Sequence, residues 1–251
     1  MATSVEEIEE KKKQVEIPPT RRDYFTIPEF RKVRSLLPDY ELELINGEIT
    51  LNKRSPLQSI SIADFKKVAE EFPDHRIELI DGEIMMMPPP DKEHQKIAGR
   101  VNTLLAYEVR QIAALGCSIG GSTSFFDVPD RFREPDGSGA DIVCPDASVY
   151  YNDYFDTDRR PPALLIVEVL SFSNRQHLKR DLELKRAIYA ALEVPAYWVI
   201  DRRDKSVLAH TDPRDGGYVV CVVCEKIKDD RVLPAPGLDF LQITPAQIYG
   251  E

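Results

Sequence analysis

The segment Ala163–Leu170 constrains the chain most. Seven of its eight residues are apolar. A run of that length and character predicts a central strand buried on both faces. Such a strand needs covering elements on either side, which points to an α/β protein rather than an all-helical one. One residue interrupts the run. Burying a lone carboxylate is expensive, so Glu168 requires a cation, a metal or a proton beside it. A Glu at a strand end, salt-bridged to a helix, meets the same requirement, and the sequence leaves both readings open.

Three other segments offer partners. In CPDASVYY, Pro145-Asp146 starts a strand over Asp146–Tyr151; Asp146 is either a turn residue or an acid turned toward the neighbouring strand's edge. In RDLELKRAIY, Asp181 and Lys185 stand four apart in a predicted helix over Arg175–Leu192. They form either an intrahelical ion pair or, with Lys185 turned the other way, a reach back toward Glu168. In RIELIDGEI, Glu78 lies in a hairpin strand, as a solvated edge charge or as a third acid. Two or three carboxylates and a lysine form the set that phosphodiester hydrolysis requires. Oxygen ligands hold Mg²⁺, and a cation steadies developing charge on the phosphate.

The chain also contains a repeat. Residues 25–50 align with residues 60–85 at a constant offset of 35, with 12 of 26 positions identical. Each copy predicts a short helix, a Pro-Asp break and a hairpin turned at Asn46-Gly47 or Asp81-Gly82. Two copies are too few for a solenoid, so the reading is a duplicated helix-plus-hairpin unit at the edge of one domain. Glu43 is the first-copy counterpart of Glu78. Only the second copy runs on into a long helix, predicted over Lys92–Leu115 from the spacing of Ile97, Val101, Leu104, Leu105 and Ile112. Further strands are expected over Ser124–Val128, Ala196–Asp201, Val207–His210 and Tyr218–Glu225, and a short helix over Thr244–Tyr249. The expected organisation is a flexible charged arm over residues 1–24, a first repeat copy over 25–55 and a nuclease-like domain over 56–251.

Composition excludes several classes. A formal net charge of −10 argues against a general nucleic-acid binder. No apolar run of membrane-spanning length is present, and a cytoplasmic location is the default expectation. Cys221 and Cys224 form a lone C-x-x-C without the second pair of a zinc ribbon, and both read as buried apolar cysteines of a strand. There is no Gly-rich phosphate loop and no nucleophile elbow. His94 and His177 fall near the proposed site by sequence but read as structural or exposed histidines. Tyr197-Trp198 reads as core.

Taken in order, RIELIDGEIMMMPPP, EHQKIAGRV, PDASVYY, PALLIVEVLSFSN, DLELKRAIYA and VPAYWVID resemble the Uma-type family of restriction endonucleases, within the PD-(D/E)XK nuclease superfamily. The resemblance covers Arg76 to Asp201. It implies a restriction-endonuclease-like core, a central mixed β-sheet flanked by helices, and a Mg²⁺ or Mn²⁺ site. By that resemblance Asp146 and Glu168 are the metal-holding acids and Glu78 is an assisting acid. The superfamily lysine normally follows the second acid by two positions, where this chain has Leu170; Lys185 from the next helix matches instead, with Lys179 as the other candidate. This chain departs from the family at Phe172, where proline is usual, at a longer loop over 174–181, and at Glu193, where Gly is usual. The implied partner is DNA, and a homodimer is left open. Arg175, Lys179, Arg180 and Arg186 are the expected nucleic-acid contacts, forming one positive face together with Lys185.

Overall fold

The computed structural model describes residues 25–45, 48–51, 60–73, 75, 77–80, 82–86, 90–111, 117–121, 126–127, 142–151, 163–170, 180–225 and 230–250. The expected N-terminal arm, the Asn46-Gly47 turn tip and the segment 171–179 lie outside them.

In chain order the elements are α1 (Ile27–Leu36), β1 (Leu42–Ile45), β2 (Glu48–Leu51), α2 (Ile62–Glu71), β3 (Ile77–Ile80), β4 (Glu83–Met86), α3 (Lys92–Gln111), β5 (Cys117–Gly121), β6 (Phe126–Asp127), β7 (Ile142–Val143), β8 (Ala147–Tyr151) and β9 (Leu165–Val169). A π-helical turn (Arg180–Leu184) then runs into α4 (Lys185–Ala191), followed by β10 (Ala196–Asp201), β11 (Ser206–Arg214), β12 (Gly217–Glu225) and α5 (Pro245–Tyr249).

Each copy of the repeat folds as its local chemistry dictates. Thr26 and Ser61, 35 positions apart, cap α1 and α2, each accepting from the backbone N–H of the third helical residue. In both copies the two strands pair antiparallel. Gly82 sits at φ 72° between β3 and β4, the left-handed backbone that a two-residue hairpin turn demands.

The strands form two sheets: the central mixed sheet expected, and a second one built around the hairpins of the duplicated unit. One is antiparallel, in the order β1-β2-β4-β3-β7-β6; the other is mixed, in the order β12-β11-β10-β9-β8-β5, with β9 and β10 parallel. The chain steps between them at Cys144-Pro145-Asp146, between β7 and β8. Pro145 has no N–H to give a ladder, so pairing breaks there and the strand direction can change.

Burial in β9 accounts for the packing. Leu165, Val167 and Val169 join the core built with Ile97, Val101 and Leu105 of α3, while Ile166 and Leu170 join the core built with Tyr189 of α4. The predicted long helix is described over Lys92–Gln111, residues 112–116 lying outside the described ones, and β11 runs longer than read, reaching Arg214. Strand β12 is the outer strand of its sheet, and its Cys221 is exposed while Cys224 is buried. Positions three apart on a strand face opposite ways, which corrects the reading of both thiols as core.

Candidate active site

The two strands carrying the acids are neighbours. Strands β8 and β9 pair antiparallel with Ala147 opposite Val167. The same register puts Asp146 directly across from Glu168, and the Asp146 N–H donates to the Val167 carbonyl at 3.1 Å. The Asp146 carboxylate accepts from the Val169 N–H at 2.8 Å. Its backbone carbonyl accepts from Asn102 of α3 at 3.2 Å. Asp146 is therefore fixed by its own strand partner and by the helix above it.

Glu168 is 2% exposed. Being in phase with Ile166 and Leu170, it faces α4 rather than α3. There its Oε1 accepts from Lys185 Nζ at 2.9 Å and from the Tyr189 hydroxyl at 2.9 Å. Lys185 and Tyr189 are four apart on one helical face. The same Lys185 Nζ lies 2.9 Å from Glu78 Oε1, and Glu78 Oε1 also accepts from the Cys144 N–H at 2.8 Å. Lys185 and Glu78 are fully buried. One ammonium thus joins an acid from each sheet, at the corner where the chain passes between them. Burial, then the charge of Glu168, holds the Tyr189 phenol well above its ordinary pKa, so it remains a donor.

His94 was read from the sequence as structural or exposed; it is buried, with Nε2 3.2 Å from Asp146 Oδ2. The signal was available, because His94 continues the α3 stripe of Ile97, Val101 and Leu105 backward by one helical step. Asp91 starts α3, accepting from the His94 N–H at 2.8 Å, and Arg202 grips both its oxygens at 2.7 and 2.8 Å. Burial pushes the Asp91 carboxyl up, but the His94 amide and the Arg202 guanidinium outweigh it and hold it below its usual range.

The structure joins Glu78, Lys185 and Glu168 through shared ion pairs and sets Asp146 across the strand pair from Glu168. Of the expected basic face, only the side chains of Lys185 and Arg186 are among the described ones. Lys185 is enclosed by two carboxylates, and the charge of exposed Arg186 acts on His210 and Cys221 of β11 and β12. A lysine that neutralises buried acids has no charge left for a surface. Arg180 opens the π-helical turn, and Arg175, Lys179 and His177 lie outside the described residues. Glu43 is exposed, because β1 is an outer strand whereas β3, with Glu78, lies between β4 and β7.

Among the described residues no group of three or more His, Cys, Asp or Glu is arranged to hold a metal ion. The oxygen donors on offer are the carboxylates of Asp146 and Glu168, opposite each other across the β8–β9 pair, with the His94 imidazole beside the first. Hard oxygen donors on two adjacent strands suit Mg²⁺ or Mn²⁺, and Mg²⁺ typically takes one or two carboxylates and keeps several waters. The residues fit such an ion.

A mixed sheet with helices over both faces, and paired acids on two adjacent strands near a helix-borne lysine, defines a restriction-endonuclease-like core. The family model of Uma2, described as a "Putative restriction endonuclease", matches residues 62–244, and the chain belongs to that family. The fold resembles the crystal structure of a putative nuclease belonging to DUF820 from Anabaena variabilis, with a TM-score of 0.57 at 16% identity. That similarity covers 76% of this chain and 97% of the other. No curated protein matches the chain. None of the described helices is long and apolar enough to cross a membrane.

Proposed function

We propose that this protein is a Mg²⁺- or Mn²⁺-dependent DNA endonuclease, with residues 56–251 as the nuclease unit. The observation that carries the reading is the juxtaposition of Asp146 and Glu168 across one strand pair, with Lys185 bonded to Glu168. In this reading Asp146 and Glu168 hold the ion. When bound, it would lower the pKa of a coordinated water and neutralise phosphate charge. The chain's own contribution is order. The Val169 N–H and His94 fix one carboxylate. Lys185 and Tyr189 both donate to Oε1 of Glu168, which fixes the orientation of that carboxylate. Glu78 keeps Lys185 in place from the opposite sheet.

A second reading has its own support. The net charge of −10 and a lysine shared between two acids suit a nuclease-fold module that binds or assembles without cleaving. One experiment separates the two. Purified protein is incubated with plasmid and with single-stranded DNA, with Mg²⁺ or Mn²⁺, beside the Glu168→Ala variant, and metal binding is followed by calorimetry. Cleavage lost in the variant supports the nuclease. Equal cleavage in both removes the assigned site, and no metal binding by wild type favours the module.

A further inference from the structure

The two repeat copies contact each other through equivalent residues. Ile49 of β2 pairs with Ile84 of β4, and these are the same position at the 35-residue offset. Around that pair the contacts are reciprocal. Tyr40 of the first copy donates to Asp64 of the second at 2.6 Å. His75, the counterpart of Tyr40, lies 3.2 Å from Glu29, the counterpart of Asp64. One core holds matched sets from both copies: Val33 with Val68, Leu37 with Phe72, Leu42 with Ile77 and Ile49 with Ile84. When residue i meets j′ and j meets i′, the surfaces are related by a two-fold axis, the arrangement of an isologous dimer.

The family model begins at Ile62 and so takes in only the second copy. The first copy is an addition laid on the edge of β4 and the face of α2. At the moment of duplication the copies were identical, so the seam formed between two identical surfaces. We infer that the face of the second copy now covered by the first is a homodimerisation face for a second copy of this chain, and that the first copy is its tethered occupant. The tether, residues 52–59, is eight residues long. A linker that short gives an effective concentration on the order of millimolar, so the first copy excludes a second chain present at micromolar concentration.

The test uses the full-length chain and reads mass by sedimentation across the micromolar range. Ile49→Arg displaces the first copy without touching the second; the mass is expected to double relative to wild type. Adding Ile84→Arg places two arginines across the two-fold axis and is expected to restore the wild-type mass. A second variant keeps every seam residue and deletes 52–59. The first copy then pairs with another chain, or leaves the seam open to one, and either way the mass doubles. An unchanged mass in the deletion variant overturns the inference, whether or not the arginine variants fold. A doubled mass that survives Ile84→Arg in a folded protein overturns it as well.

Discussion

Lys185 and Glu168 are 17 positions apart in the chain and 2.9 Å apart in space, with a second carboxylate, Glu78, at 2.9 Å from the same nitrogen. All three groups are buried. Replacing Lys185 with Met leaves two acids close together without their cation. Breaking a buried pair from one side typically costs about 3–5 kcal/mol. The expected result for Lys185→Met is a loss of that size in urea unfolding, together with loss of cleavage. A change under about 1 kcal/mol, the range of exposed pairs, would show that the three groups do not meet in solution.

Tyr189 separates positioning from bulk stability. Its hydroxyl donates to the Glu168 oxygen that Lys185 also occupies. Tyr189→Phe keeps the ring, which packs against Tyr197 at 5.0 Å between centroids. Losing one hydrogen bond to a charged group costs about 1.5–3 kcal/mol. If Glu168 acts as proposed, kcat should fall roughly tenfold, a barrier change of about 1.4 kcal/mol, while KM for DNA holds. Unchanged kcat with lowered stability would leave Tyr189 a purely structural residue.

His210 gives the fold a pH dependence away from the site. Its ring packs against those of Tyr197 and Tyr218, which also stack on each other. Burial, and secondarily the charge of Arg186, lowers its pKa to about 4. The folded state therefore resists a proton that the unfolded chain accepts near pH 6.5. Stability is complete above pH 6.5, declines as the pH falls through that window, and levels off below about 4. The expected contribution is about 1–3 kcal/mol. Urea midpoints for wild type and His210→Gln, compared at pH 7 and pH 4.5, isolate it from the carboxylates that titrate in both. Parallel slopes would remove His210 as the cause.

What the sequence made legible was whatever depends on neighbours along the chain. The apolar run around Glu168 identified a strand buried on both faces, Asp81-Gly82 marked a hairpin, and the spacing of Ile97, Val101 and Leu105 marked α3. Lys185 could be placed toward Glu168 because a strand–helix return covers its own sheet. The rest depends on contacts between segments. Nothing in RIELIDGEI says that Glu78 arrives from a separate sheet, because that follows from where β7 pairs and where Pro145 breaks the ladder. The exposure of Glu43 and burial of Glu78 come from strand order, which two nearly identical local patterns cannot encode. The expected basic face failed on Lys185 for a related reason: counting charges does not reveal that one is consumed inside.

Glu193 carries a departure from the family that the backbone explains. Where α4 ends, the Val194 N–H reaches back to the Tyr189 carbonyl at 3.1 Å and the Glu193 N–H to Ala190 at 2.9 Å. That closure puts Glu193 at φ 56°, the left-handed region. Glycine enters it without the clash that a Cβ meets there, about 1–2 kcal/mol for an L-residue. Against this, glycine adds freedom to the unfolded chain, about 0.5–1 kcal/mol. The balance favours glycine, so Glu193→Gly is expected to stabilise the protein by about 0.5–1 kcal/mol. The same helix carries Lys185 and Tyr189 eight and four positions earlier, and tightening its end should leave cleavage unchanged. Thermal unfolding of the variant checks the sign: a lower Tm would mean that contacts of the Glu193 side chain outweigh the strain in its backbone.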